Sequence, residues 1–171
     1  LRKAVFDIIG HDMTGLTFLD LFSGSGAMGI EALSSGAAES HMVERDPKCV
    51  EAIKANLERL RPVDRGLKAF VWAKDAFAMV KHFAREGKTF DIVFFDPPFD
   101  MRLGKKTLKT LLTHDILSPH SFVVAQYGLD DKLFIKGQIA DGAPLPESEG
   151  RFQVVRHKVY GTSQLTILQK T

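Results

Sequence analysis

The sequence predicts a doubly wound α/β fold: a mostly parallel sheet with helices on both faces and an antiparallel hairpin at one edge. Three observations predict it. Short strand-like apolar runs alternate with longer stretches of helical period as far as residue 127. The run LTFLDLF passes directly into SGSGAMG and then into a helical stretch, the strand–turn–helix unit of open α/β sheets. The last two apolar runs, 151–160 and 163–169, are separated only by Gly161-Thr162, and so tight a turn joins antiparallel strands.

Each element has its own local reason. Residues 1–9 read as a helix with Leu1, Val5, Ile8 and Ile9 on one face and Gly10 as the stop. Residues 16–22 read as a buried strand, and 27–35 as a helix ended by Gly36. A strand follows at 39–44. Asp46-Pro47 then starts a helix, a capping side chain followed by proline in the first turn. Its core-facing residues are Val50, Ile53, Leu57 and Leu60. The third strand is 67–73. Asp75 to Arg85 is a helix burying Phe77, Val80 and Phe83, and the fourth strand is 90–95. A helix near 103–113, a strand near 120–127 and a Gly/Pro/Glu-rich surface loop over 141–150 lead to the final hairpin.

The composition bounds the function. A chain of 171 residues, 44% hydrophobic and 26% charged, suits one α/β domain with a full core. No apolar run approaches the roughly 20 residues of a membrane helix. Cys49 is the only cysteine, which excludes an intrachain disulfide and fits a reducing cytosol. The six histidines are scattered, so no zinc or other metal site is expected. A net charge of +2 permits a nucleic-acid partner without demanding one. The chain begins at Leu1 rather than Met, and an N-terminal segment is expected to precede it.

Gly24, Gly26 and Gly29 satisfy G-x-G-x-x-G. Small residues there let the backbone turn sharply and approach a ligand, with the N–H groups of the next helix facing it. Glu44 ends the following strand, placed to accept from ribose hydroxyls. The pattern fits nicotinamide enzymes, methyltransferases and a merely tight strand-to-helix turn. The glycines' position between strand and helix, with Glu44 twenty residues on, favours a nucleoside site. Asp20 is acidic inside an apolar strand, a cost unless it is paired, and is placed to hold the loop or meet a cationic ligand end. Asp75 is placed either to accept from an adenine amino group or to cap the following helix.

Residues 90–99 read FDIVFFDPPF. In an open α/β sheet the ligand crevice lies beyond the carboxyl ends of the strands, so Asp96 is expected on the same edge as Gly24 and Glu44. Pro97 and Pro98 stiffen the corner and remove two N–H groups. What remains is a pair of acceptors, the Asp96 carboxylate and the Pro97 carbonyl, beside the flat face of Phe99. That set suits a planar ring bearing an NH₂ group, stacked on Phe99 and donating two hydrogen bonds. The plainer reading is a strand-terminating turn with a capping Asp and a core Phe.

These motifs together resemble a known family. DLFSGSGAMGIEAL, VER at 43–45, KDA at 74–76, DPPF and VYGTSQLTIL stand in the order and at the spacing of the bacterial small-subunit rRNA guanine-N2 methyltransferases. The resemblance spans nearly the whole chain. It implies a single class I methyltransferase domain over 1–171, with a seven-stranded sheet, using S-adenosylmethionine. The implied substrate is a guanine of 16S rRNA or of a small-subunit assembly intermediate; a cytoplasmic location and a monomer are expected, although the sequence itself is silent on oligomeric state. Asp20, Phe22, Ser23, Gly24, Ser25, Gly26, Gly29, Glu44 and Arg45 would then hold the cofactor, with Asp75 and Ala76 by its adenine. Asp96, Pro97, Pro98 and Phe99 would hold the target amino group. Arg102, Lys105 and Lys106 would contact phosphates, and Tyr160 would border the pocket; a solvated helix start explains each lysine equally well. A base inside a helix cannot reach such a corner, so a flipped or loop nucleotide is expected.

The chain departs from the family in three places. It lacks the basic segment before the first helix, it has Lys3 where an acidic residue is common, and its fifth strand ends Ala125-Gln126-Tyr127 where the family often has glutamate second. The rival readings are an adenine-N6 methyltransferase, a nicotinamide-dependent oxidoreductase and an RNA-binding assembly factor without activity.

Overall fold

The structure is a computed structural model that describes residues 2–131 and 151–171. The loop expected over 141–150 lies outside the described residues, as does Leu1. The sheet has seven strands, in the order Lys68–Trp72, Glu39–Val43, Thr17–Leu21, Phe90–Phe95, Leu117–Gly128, Ser163–Lys170 and Phe152–Tyr160. By its internal contacts the chain divides into two compact units, Leu1–Met79 and Val80–Thr171.

In the first unit β1 (Thr17–Leu21), β2 (Glu39–Val43) and β3 (Lys68–Trp72) run parallel in unbroken register. Helices α2 (Ala27–Ser34) and α3 (Pro47–Leu60) connect them. The core is Leu33, Met42 and Ile53, fully buried, with Ile30, Leu57, Leu60, Ala69 and Val71 packed against it. The expected start of α3 is present: the Asp46 carboxylate accepts from the Lys48 N–H at 2.8 Å, with proline in the first turn. Helix α1 (Arg2–Ile9) buries Val5 and Phe6. The sequence reading put Ile8 and Ile9 on the buried face; both are only half-buried. With Phe6 buried beside Val5, the buried stripe is turned about the helix axis from the expected face.

In the second unit β4 (Phe90–Phe95) lies parallel to β5 (Leu117–Gly128), and α5 (Gly104–Thr113) connects them. The hairpin of β6 (Phe152–Tyr160) and β7 (Ser163–Lys170) is antiparallel, with β7 against β5. Gly161 at φ +55 supplies the positive φ that its two-residue turn requires. Strand β5 begins three residues earlier than its sequence suggests. Phe90 opposes Leu117 but Ile92 opposes Phe122, so extra residues of β5, Pro119 and His120 among them, are taken up in an irregularity. That is where a strand tolerates proline. Helix α4 (Ala76–Arg85) runs across the division between the units. It buries Met79, Val80 and Phe83, while Phe77, expected in the core, is only half-buried.

Candidate active site

In the first unit the glycine loop is built for a ligand to approach. Gly24 (φ +56) and Gly26 (φ +80) both take the left-handed conformation. Around Gly24 a Cβ would meet nothing within 4 Å, whereas at Gly29 it would lie 2.6 Å from Met42 Cγ and 2.8 Å from Ser40 Oγ. Gly24 therefore leaves open space above the turn, and Gly29 lets α2 pack closely on β2. Asp20 is 1% exposed, and its carboxylate accepts from the Gly29 N–H at 3.3 Å. Its carbonyl accepts from the Ser23 hydroxyl at 2.8 Å. Burial of that acid is thus offset by tying the strand to both sides of the loop.

Glu44 holds the loop from the other side. One carboxylate oxygen accepts from the Gly24 N–H at 2.9 Å, and the other from the Asp46 N–H at 2.9 Å. An ionised carboxylate has about four acceptor positions, so acceptor capacity remains for a ligand. Asp75 is exposed, and its carboxylate accepts from the Ala78 N–H at 3.0 Å. The helix-cap reading of Asp75 is therefore present. Ala76 beside it is buried, Ser25 and Arg45 are exposed, and Ser25 accepts from Asn56 through its carbonyl.

Phe22 sits at φ +63, a conformation that costs a bulky residue roughly 1–2 kcal/mol. Its ring meets Phe77 edge-on, 6.0 Å between centroids. The two half-buried rings make an apolar wall at the loops after β1 and β3. Phe77 was read from the sequence as core; its place just after Asp75-Ala76 is the signal that marks it as part of the site.

In the second unit the DPPF corner is as stiff as its sequence implies. Asp96 ends β4 half-buried, and among the described residues no donor reaches its carboxylate. Burial pushes its pKa from 3.8 up to about 6. Pro97 is buried, Pro98 exposed, and Phe99, 41% exposed, opens a 3₁₀ turn (Phe99–Met101). The plain turn reading, with a capping Asp and a core Phe, does not hold: Asp96 caps none of the described residues and Phe99 is exposed. Arg102, Lys105 and Lys106 lie on exposed positions at the start of α5, whose buried residues are Gly104, Thr107, Leu108 and Leu111. The N-terminus of α5 is already taken, because the buried Asp131 carboxylate accepts from the Gly104 N–H at 2.7 Å. Tyr160 is half-buried at the end of β6.

The raised pKa of Asp96 has a stability consequence. The folded state holds that proton more tightly than the unfolded state. The linked stability is therefore complete below pH about 4 and is lost as pH rises through about 6. The shift corresponds to at most roughly 3 kcal/mol, and solvent at this half-exposed group reduces it to about 1–2 kcal/mol. Asp96→Asn is expected to raise Tm at pH 7.5 by about 3–6 °C and to leave Tm unchanged near pH 4. An equal shift at both pH values would remove the ionisation as its cause.

The family described as conserved hypothetical protein 95 matches residues 1–169. YlbH of Bacillus subtilis (strain 168) is 30% identical over 170 residues, 99% of this chain and 84% of that protein. Ribosomal RNA small subunit methyltransferase D of Escherichia coli (strain K12) is 26% identical over 170 residues, 99% of this chain and 76% of that protein. A conserved hypothetical protein of Streptococcus pyogenes superposes with a TM-score of 0.79 at 26% identity, covering 100% of this chain and 96% of that one. The 16S rRNA N2 G1207 methyltransferase of Thermus thermophilus, solved with AdoMet and guanosine, superposes with a TM-score of 0.71 at 22% identity, covering 99% of this chain and 41% of that one; it shows that the fold is that of these methyltransferases. With nearly its whole length matched, the chain belongs to the conserved hypothetical protein 95 family.

Proposed function

We propose that the chain transfers a methyl group from S-adenosylmethionine to the exocyclic N2 amino group of a guanine in small-subunit rRNA. The observation that carries the proposal is the DPPF corner. It holds a half-buried carboxylate that no donor reaches among the described residues, and a 41% exposed ring three residues on. Such a carboxylate is costly to keep and becomes satisfied when an amino group donates to it. The printed names of the relatives supply the substrate class, small-subunit rRNA.

The cofactor contributes an electrophilic methyl group carried on a sulfonium. The chain's own residues do the rest. The open turn at Gly24, the Glu44 carboxylate with spare acceptor capacity and the Phe22–Phe77 wall fit a nucleoside with a ribose and a flat ring. At the other end, Phe99 stacks the base. Asp96 and the Pro97 carbonyl accept the two N–H bonds of the amine. Its lone pair, otherwise conjugated into the ring, is then freed to point at the methyl. The rate gain comes from positioning and preorganised acceptors. An rRNA substrate places the reaction in the bacterial cytoplasm.

The test is methyl transfer from tritiated S-adenosylmethionine to unmodified 16S rRNA and to small subunits, followed by nucleoside analysis. N2-methylguanosine is expected. Label in N6-methyladenosine, or no label in either substrate, would overturn the assignment.

A further inference from the structure

Resting on that reading, we infer that the second unit contains a base-reading slot walled by Phe99 and Tyr160, floored by Gly128 and Ser163, and read out by Gln126. The register fixes the row. Gly128 opposes Ser163 across β5 and β7, and Ser163 opposes Tyr160 across β7 and β6. Residues directly opposite in antiparallel strands project to the same face. A Cβ on Gly128 would lie 3.3 Å from Phe99 Cβ and 3.5 Å from Phe99 Cγ. Phe99 is therefore seated on the same face as Tyr160, two strands away. Strands are spaced about 4.8 Å apart, so Tyr160 and Gly128, on which Phe99 is seated, stand about 10 Å apart. In that row Ser163 is the strand residue between them. That gap admits one planar base with contacts on both sides, and both walls offer π-faces on which a base can stack.

Gln126 sits two residues before Gly128 on β5, hence on the same face. It is half-buried, and none of the described residues hydrogen-bonds its amide. The Tyr160 hydroxyl is equally without a partner among them. A carboxamide presents one acceptor and two donors. When guanine gives its N2 amine to Asp96, the adjoining N1–H needs an acceptor and O6 beyond it needs a donor. Gln126 supplies both in that order. An adenine presenting N6 to Asp96 has bare acceptors at N1 and N7 on either side, so Gln126 Oε1 would face a lone pair. Lys158, exposed on the same face two residues before Tyr160, is placed for the backbone phosphate of the nucleotide. Gln126 and Tyr160 thus act as specificity and stacking residues for the target base.

The experiment uses the rRNA substrate that the wild-type chain methylates. Tyr160→Ala is expected to raise the KM for RNA about tenfold, from the lost stacking partner, with the dissociation constant of S-adenosylhomocysteine unchanged. Tyr160→Phe should keep the wild-type KM. Gln126→Leu is expected to lower kcat/KM about tenfold, and Gln126→Glu, which keeps an acceptor for N1–H, should recover part of it. Should Tyr160→Ala fold poorly, Ser163→Val fills the floor instead and must raise KM in the same way. A wild-type KM in both Tyr160→Ala and Ser163→Val, or wild-type kcat/KM in Gln126→Leu, overturns the slot while leaving guanine methylation standing. A wild-type chain that labels no guanine fails the functional reading itself and takes the slot with it.

Discussion

Asp96→Ala is expected to lose methyl transfer by about 10²–10³-fold or more, with the dissociation constant of S-adenosylhomocysteine unchanged. The two effects separate because the residue directly follows β4, whereas the residues proposed to hold the cofactor lie in the loops after β1, β2 and β3. The loss is large because two contributions vanish together. The amine loses the acceptor that draws its lone pair out of conjugation, and it loses the fixed direction that aims it. A pH dependence accompanies the loss. With a pKa near 6 in the free protein, the ionised acceptor is depleted as pH falls through 6. The kcat/KM of the wild-type chain should therefore drop about tenfold per unit below that value. Once an amine donates to the carboxylate, its charged form is favoured, so kcat should fall only at lower pH than kcat/KM. Near-wild-type turnover in Asp96→Ala, measured by label incorporation, would remove the acceptor role and the proposed chemistry with it.

The parts of this site that were legible in the sequence are those set by local stereochemistry. The glycine pattern fixes a turn whose positive φ values at Gly24 and Gly26 few other residues tolerate. Two prolines after a strand stiffen a corner whatever surrounds it. The Asp46-Pro47 helix start follows from the same kind of rule. The parts that were not legible depend on register between distant strands. Gly128 looks like the end of a strand, and only its pairing with Ser163, and through it with Tyr160, puts it in the row of the proposed slot. Gln126 stood out in the sequence only as a departure from glutamate. Its meaning comes from sharing a face with Gly128. Phe77 followed a helical period into the core on paper, but the left-handed backbone of Phe22 brings a partner ring to it at the surface. Strand β5 extends three residues ahead of the stretch expected near 120–127, because an irregularity in its pairing accommodates Pro119.

Glu44→Ala is the second large effect, and it separates structure from ligand binding. Its carboxylate joins three pieces of backbone: the end of β2, the glycine loop at Gly24 and the helix start at Asp46. Removing it strands two N–H donors. Each bond to a charged acceptor is worth about 1.5–3 kcal/mol when buried. Glu44 is only half-buried, so water replaces much of this, leaving a net loss of about 1–2 kcal/mol, or roughly 3–6 °C in Tm. The ligand loses more. A loosened Gly24 no longer presents a preformed turn, and on the proposed reading the ribose loses its acceptor, so cofactor affinity should fall about 100-fold by calorimetry. Glu44→Gln tests the division. Its amide keeps one acceptor oxygen and turns the other position into a donor, so one backbone N–H stays held while the other faces an NH₂. An intermediate affinity loss with a small Tm change is expected. An unchanged dissociation constant in Glu44→Ala would leave Glu44 a loop brace alone, and would move the ribose acceptor to another residue of the first unit.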